Sequence, residues 1–213
     1  HVTLLVHLLF MNFAFGGAVV TLVNDLRAFV SRRAGYLTDL NRRIFQIVPI
    51  AVSFTITFGI APLLFIQTLY GPVFYTATVL IGLPWMAVIA VLMAGFYLVY
   101  LVRFVPAAAG GDRLEPLLRR LLRVLVCLLV IFAIAAIAMM LTSQAVWSIN
   151  PQAWQSRYDN PSLVFIPPDA QFWPRYAHNL NGGLAMACLL LAGMAQVLAR
   201  RGSVAGDWVV RTV

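Results

Sequence analysis

Lysine does not occur in this 213-residue chain; all fifteen basic residues are arginines, set against only seven carboxylates, two cysteines and three histidines. Charged residues make up 10% of the sequence and hydrophobic ones 62%, with a mean hydropathy of +0.90, a balance foreign to water-soluble domains of this length. Cys127 and Cys188 lie in apolar stretches with no CxxC or CxxCH pattern around them. That excludes c-type haem attachment and argues against a structural disulfide, leaving two thiols that behave as small apolar side chains. No HExxH, phosphate-binding loop or Ser-His-Asp pattern occurs. Glutamate is missing from every long apolar stretch, whereas machines that carry protons through a bilayer need carboxylates lined up inside it. The absence of an internal repeat and of a charged intramembrane path weighs against a transporter or channel.

What the chain does have is five long apolar stretches, near 2–26, 45–69, 74–102, 118–146 and 178–199. Each approaches or exceeds the roughly 20 residues needed to cross a hydrocarbon core of about 30 Å. The prediction is an all-α integral membrane protein, one transmembrane domain over 1–213, built as a bundle of five transmembrane helices. Arg27, Arg32, Arg33, Arg42 and Arg43 follow the first stretch. Arg103, Arg113, Arg119, Arg120 and Arg123 flank the third connection, and Arg200, Arg201 and Arg211 follow the last stretch. The other two connections hold only Arg157 and Arg175, so the positive-inside rule places the N-terminus outside and the C-terminus in the cytoplasm. The net charge of +8 is then explained by topology and lipid headgroups rather than by nucleic acid. His1 stands where an initiator methionine belongs, with no basic leader and no cleavage site, which reads as a truncated or incompletely ordered start and not as a signal peptide.

Ionisable side chains are costly at membrane depth, so the few present mark candidate sites. His7 lies two turns into the first stretch, with Met11 one turn further along the same face and Gly16 and Gly17 as a small-residue patch beyond. Pro62 is expected to kink the second helix. Gln67, near the outer end of that helix, is a candidate quinone contact, with Trp85 and Trp173 as further candidates on the outer side. Asp25 is expected to face the interface beside Arg27. The segment from Ser143 to Ala177, rich in proline and aromatics, reads as a long external loop that either forms an interfacial belt or covers a pocket.

His178 opens the fifth stretch. Because the first and fifth stretches both descend from outside, His7 and His178 are predicted at one level in the outer half of the bilayer, where imidazoles are ready axial ligands for a haem iron. Arg175 is placed to pair with a haem propionate, and Gly182 and Gly183, one turn below His178, leave room for a porphyrin face. His1 is a weaker further ligand candidate. Histidines satisfied by backbone carbonyls are the competing reading.

The stretches LLVHLLFMNFAFGG, FGIAPLLFIQTLYG, GLPWM, WSINP and FWPRYAHNLNGGLAMA, in this order and spacing, resemble the N-terminal part of subunit I of the cytochrome bd quinol oxidases over essentially the whole chain. The resemblance implies that His7 ligates the haem of the oxygen-reducing site and His178 a low-spin haem b, with Arg175 near the propionates. It also exposes departures. The family's membrane-embedded glutamates of the third span fall on Val88 and Phe96, and the later spans that supply the quinol loop and further ligands have no counterpart, so oxygen reduction by this chain alone is not expected. One or two haems b, and a quinone, are the implied cofactors. The expected role is a haem b electron-transfer subunit of a respiratory complex in a bacterial inner membrane, working between the quinone pool and other membrane or peripheral redox subunits such as a c-type cytochrome or an iron-sulfur subunit. The alternative is a haem-free membrane anchor. Should only one haem remain, His7 and His178 are expected to clamp it from opposite faces.

Overall fold

The computed structural model describes residues 2–30, 34–104, 114–160 and 165–200. Their order is α1 (Val2–Val30), α2 (Ala34–Leu69), α3 (Gly71–Ile81), α4 (Leu83–Phe104), α5 (Leu114–Ser148), a single 3-10 turn (Pro151–Ala153), α6 (Trp154–Asp159) and α7 (Phe172–Arg200). No strand occurs among these residues. Four helices contain segments long and apolar enough to cross a membrane: Val2–Arg27, Arg43–Leu69, Leu83–Leu101 and Leu121–Ser148. Helix α7 has 29 residues, about 43 Å at 1.5 Å per residue. Arg175, His178, Asn179 and Asn181 fall in its first turns, and the sequence from Leu184 to Met194 is apolar.

Helix α1 is the centre of the bundle and packs on α2, α7 and α5, while α4 lies on α5 and α2. The main core joins Phe13, Ala14 and Ala18 of α1, Ile44, Val48 and Ala51 of α2, Val99 of α4, and Val126, Cys127 and Val130 of α5. Outside this core the usual distribution is inverted. Phe65 is 66% exposed and Phe132 72%, whereas Thr21, Asn24, Asp25, Asn41, Ser143 and Gln144 are buried. Apolar side chains facing out and polar ones turned inward are what a hydrocarbon solvent selects; of these buried polar groups Thr21 Oγ1 has no hydrogen-bond partner among the described residues.

The sequence predicts one continuous third span over 74–102, and here the structure differs. The chain breaks at Gly82, which has φ +48° and separates the eleven-residue α3 from α4. Proline explains the break. Pro84 has no N–H to give the carbonyl of Leu80 one turn earlier, and the orphaned oxygen accepts a hydrogen bond from Arg157 Nε of α6 at 3.3 Å. Only glycine adopts the left-handed backbone between the two helices without strain.

The predicted external loop over Ser143–Ala177 is also shorter than expected. Helix α5 continues to Ser148, the 3-10 turn and α6 follow, and α7 already begins at Phe172. Two tryptophan N–H groups fix the fold-back. Trp147 Nε1 donates to the Phe165 carbonyl at 3.0 Å and Trp154 Nε1 to the Trp147 carbonyl at 2.8 Å, while Ser143 Oγ donates to the same Phe165 oxygen. With Ala77, Leu80 and Ile81 of α3 these aromatics form a second, smaller core at the aromatic end of the bundle. Pro62 sits within α2, which remains helical from Ala34 to Leu69.

Candidate functional site

Helix α1 runs parallel to α7. A Cβ on Gly16 would overlap the side chain of Ala187, and one on Gly183 would lie 3.2 Å from Asn12 Oδ1 and 3.3 Å from the Phe15 ring. The two backbones therefore meet along Asn12, Gly16, Gly183 and Ala187, a small-residue seam of the kind that lets membrane helices approach closely. The offset that pairs Asn12 with Gly183 and Gly16 with Ala187 carries His7 to the level of His178. Each histidine, however, lies five residues from the seam, about 140° round its helix. The structure brings the two imidazoles to one height without turning them toward each other, so a single iron held from both sides is not the arrangement seen. His1 lies outside the described residues.

His7 turns instead to α2. Its Nδ1 lies 2.7 Å from the Thr55 carbonyl oxygen, and since a carbonyl only accepts, Nδ1 carries a proton; in a neutral imidazole this tautomer leaves the Nε2 lone pair open. Gly59 makes the approach possible. A Cβ there would lie 2.7 Å from both Nδ1 and Cε1 of the ring, closer than van der Waals contact allows. On the same pair of helices Phe10 stacks on Phe54 at 4.8 Å, and Phe54 on Phe58 at 5.8 Å. Met11, one turn below, is half-buried.

His178 is exposed and makes no hydrogen bond among the described residues. It belongs to a stripe at helical spacing with Arg175, Gly182, Ala185 and Leu189, all of them exposed. Nothing lies within 4 Å of a Cβ built on Gly182. The expectation that Gly182 and Gly183 act together is corrected: Gly182 opens outward below His178, whereas Gly183 is buried in the seam with α1. Arg175 NH2 donates to Gln171 Oε1 at 2.8 Å. Trp173, 55% exposed, sits edge-on to Phe172 at 5.0 Å. Trp85 meets Phe74 edge-on at 5.7 Å within the aromatic end. Gln67 is half-buried and makes no hydrogen bond among the described residues, and no described contact joins it to either tryptophan.

A second polar constellation lies at the opposite, arginine-rich end, and it corrects the expectation for Asp25. The carboxylate does not face the interface beside Arg27; it is 1% exposed and accepts both Nε (2.8 Å) and NH2 of Arg123 from α5. Asn41 of α2 adds a hydrogen bond from Nδ2 to Asp25 Oδ1 at 2.8 Å, donates also to the Thr21 carbonyl at 3.1 Å, and accepts one from Asn24 at 3.1 Å. A bidentate guanidinium and an amide together satisfy a carboxylate that hydrocarbon would otherwise forbid. The sequence signal was present: an acid at the end of one apolar stretch and a base at the start of another. Thr55 and Gly59 had no comparable mark, because a carbonyl is available at every residue and a lone glycine in an apolar helix has many uses.

No group of three or more His, Cys, Asp and Glu side chains able to hold a bare metal ion occurs among the described residues. Iron carried in a porphyrin needs only one or two protein ligands, and His7 and His178 are the described histidines that could supply them. Fold and site together define an all-helical, multi-pass membrane protein with intramembrane polar centres at both ends. Comparisons with protein-family models, curated proteins and solved structures yield no match to this chain.

Proposed function

We propose that this chain is a haem b-binding membrane subunit that moves electrons between the quinone pool and a redox partner within a respiratory complex of a bacterial inner membrane. The observation that carries the reading is the state of His7. Its Nδ1–H is held by the Thr55 carbonyl at 2.7 Å in a notch made by Gly59, the outer-shell arrangement by which proteins fix a ligating imidazole and present Nε2 to a metal. The motif resemblance to the cytochrome bd oxidases supports the same role for His7 and His178. Bound haem would supply one-electron redox chemistry; the chain's own part is to orient the two imidazoles, seat the macrocycle on the open surface at Gly182 and neutralise a propionate with Arg175.

On this reading α7 is the fifth span, the N-terminus is outside and the arginine-rich end faces the cytoplasm. The stripe of Arg175, His178, Gly182 and Ala185 faces a partner subunit, because a histidine and an arginine on an outward helix face are poorly tolerated by lipid. With His7 turned to α2 and His178 exposed on α7, the reading favours two separate haem sites, each of which would need a further ligand from a partner. Gln67, Trp85 and Trp173 remain the quinone candidates at the outer side.

A haem-free anchor is the second reading, favoured by the direct backbone contact at Gly16 and Ala187, which leaves no gap between α1 and α7. A pyridine haemochrome assay on the purified complex, combined with redox difference spectra of His7→Ala and His178→Ala, separates the two. The haem reading expects protohaem in the wild type and a distinct spectral change for each substitution. Absence of protohaem, or unchanged spectra in both variants, establishes the anchor instead.

A further inference from the structure

Helix α7 packs on α1 and α5, and Phe172, Gly183 and Ala187 mark its buried side. The opposite side, about half a turn round the helix, carries Arg175, His178, Gly182, Ala185, Ala192 and Gln196, all exposed, with Leu189 among them. Neighbouring helices look outward differently. The exposed residues of α4 include Leu83, Met86, Ile89, Met93 and Tyr97, and those of α5 include Leu121, Leu125, Leu128 and Phe132, large apolar side chains that hydrocarbon accepts. A face made of an arginine, a histidine, a glutamine and small residues suits contact with another protein helix and is poorly tolerated by lipid.

His178 is the one described histidine on this face, since His7 is turned to α2. A low-spin haem iron takes two axial ligands, so His178 supplies one and another chain the second. Arg175, one turn above, meets a neutral acceptor, Gln171 Oε1 at 2.8 Å, and forms no ion pair among the described residues. Nothing lies within 4 Å of a Cβ built on Gly182, and Ala185, about 10 Å further along the helix than His178, adds only a methyl group, so the ground beside the imidazole is open to a flat macrocycle. A second copy, related by a twofold axis along the membrane normal, answers each need with the same residues. That axis keeps both chains in one orientation and sets the two α7 helices face to face at equal depth. Imidazole then stands opposite imidazole and Gln196 opposite its counterpart. Two Arg175 guanidiniums near the axis repel each other until two anions separate them, and one protohaem carries two propionates. An iron protoporphyrin also has an approximate twofold of its own, in the ring plane between its propionates, and so suits that position.

We propose that two copies of this chain pair through the outward face of α7 and share one haem b, with His178 of each copy as an axial ligand and Arg175 of each copy at a propionate. This pairing, which rests on the haem reading, supplies the partner ligand that His178 needs and leaves the His7 site separate.

The test uses the whole chain, extracted from membranes in mild detergent together with its accompanying subunits. Wild-type and His178→Ala chains carrying different tags are co-expressed, and the mixed pair is isolated through both tags. Against the wild-type pair, its difference spectrum is expected to show one low-spin haem turned high-spin, and added imidazole is expected to restore the low-spin bands. Ala185→Trp, which blocks the outward face without entering the bundle, is expected to give a folded protein that runs as a single copy and lacks that low-spin haem. Arg175→Gln is expected to lower the midpoint potential of the same haem, because cations beside the propionates favour the reduced iron. Failure to recover a mixed pair, a mixed pair with the wild-type spectrum, a low-spin His178 haem retained in Ala185→Trp, an unmoved potential in Arg175→Gln, or a different polypeptide cross-linked to this face overturns the pairing while protohaem is still present. Absence of protohaem overturns the haem reading itself and the pairing with it.

Discussion

Replacing Gly59 by alanine tests the placement of His7 directly. The new methyl group would start 2.7 Å from both Nδ1 and Cε1 of the imidazole, while relaxed contact needs about 3.5 Å or more. The ring must therefore withdraw by nearly 1 Å, and the present 2.7 Å separation from the Thr55 oxygen would stretch to the limit of hydrogen bonding. Losing an interhelical hydrogen bond inside a membrane costs about 0.6–2 kcal/mol, overpacking adds about 1–3 kcal/mol, and the better helix propensity of alanine returns about 1 kcal/mol. The net expectation is a destabilisation of about 2 kcal/mol. It is measured by reversible unfolding in mixed micelles, with His7→Phe as the reference that already lacks the bond, so that the two substitutions combined cost less than their sum. Under the haem reading the same variant also shifts the absorption bands of the bound haem, because Nε2 moves with the ring. Unchanged stability and unchanged spectra in Gly59→Ala would mean that the imidazole is not held in this notch, and the structural basis for the proposed ligand would be gone.

The buried Asp25–Arg123 pair makes a second prediction. Arg123→Gln strands a carboxylate that is 1% exposed and is expected to cost about 3 kcal/mol, the low end for a broken buried pair because Arg123 itself keeps 20% of its side chain accessible. Asp25→Asn added to it restores much of that loss, and a double variant no more stable than the single one contradicts the pairing. Arg157→Ala leaves the Leu80 carbonyl without its side-chain donor at the Pro84 break. The expected cost is about 1 kcal/mol, seen as faster amide exchange in α3 and α6 with α1 and α2 unaffected. Protection unchanged in α3 would show that this oxygen is satisfied in another way.

Much of the helical architecture was legible because hydrocarbon imposes a coarse rule that composition obeys. Runs such as 2–26 and 118–146 fall inside α1 and α5. The break in the third run was written in Gly82 and Pro84, yet proline and glycine occur inside continuous membrane helices as well, as Pro49 and Pro62 do in α2. At the break Gly82 takes φ +48°, and the freed Leu80 oxygen finds its donor in Arg157, 77 residues away. The aromatic segment after Ser143 looked like loop because its prolines and tryptophans suit an interface; that α5 runs on to Ser148 depended on where Trp147 and Trp154 found acceptors.

The candidate sites divide in the same way. That His7 and His178 share a level was the expectation of a five-crossing topology, in which the first and last stretches run parallel, and the parallel seam of α1 and α7 gives the same level. Where each imidazole points could not follow, because direction depends on the rotation of α1 and α7 about their axes, and that rotation is set by the contact of Gly16 with Ala187 and of Gly183 with Asn12. From the chain alone came the solvent it requires and the rarity of its ionisable groups, because these depend on residue type and composition. Only the packed bundle decided that Asp25 meets Arg123, that His7 meets Thr55 and that Gly183 serves a seam while Gly182 stays open. Such pairings join residues far apart in the chain, and they depend on which helix faces touch.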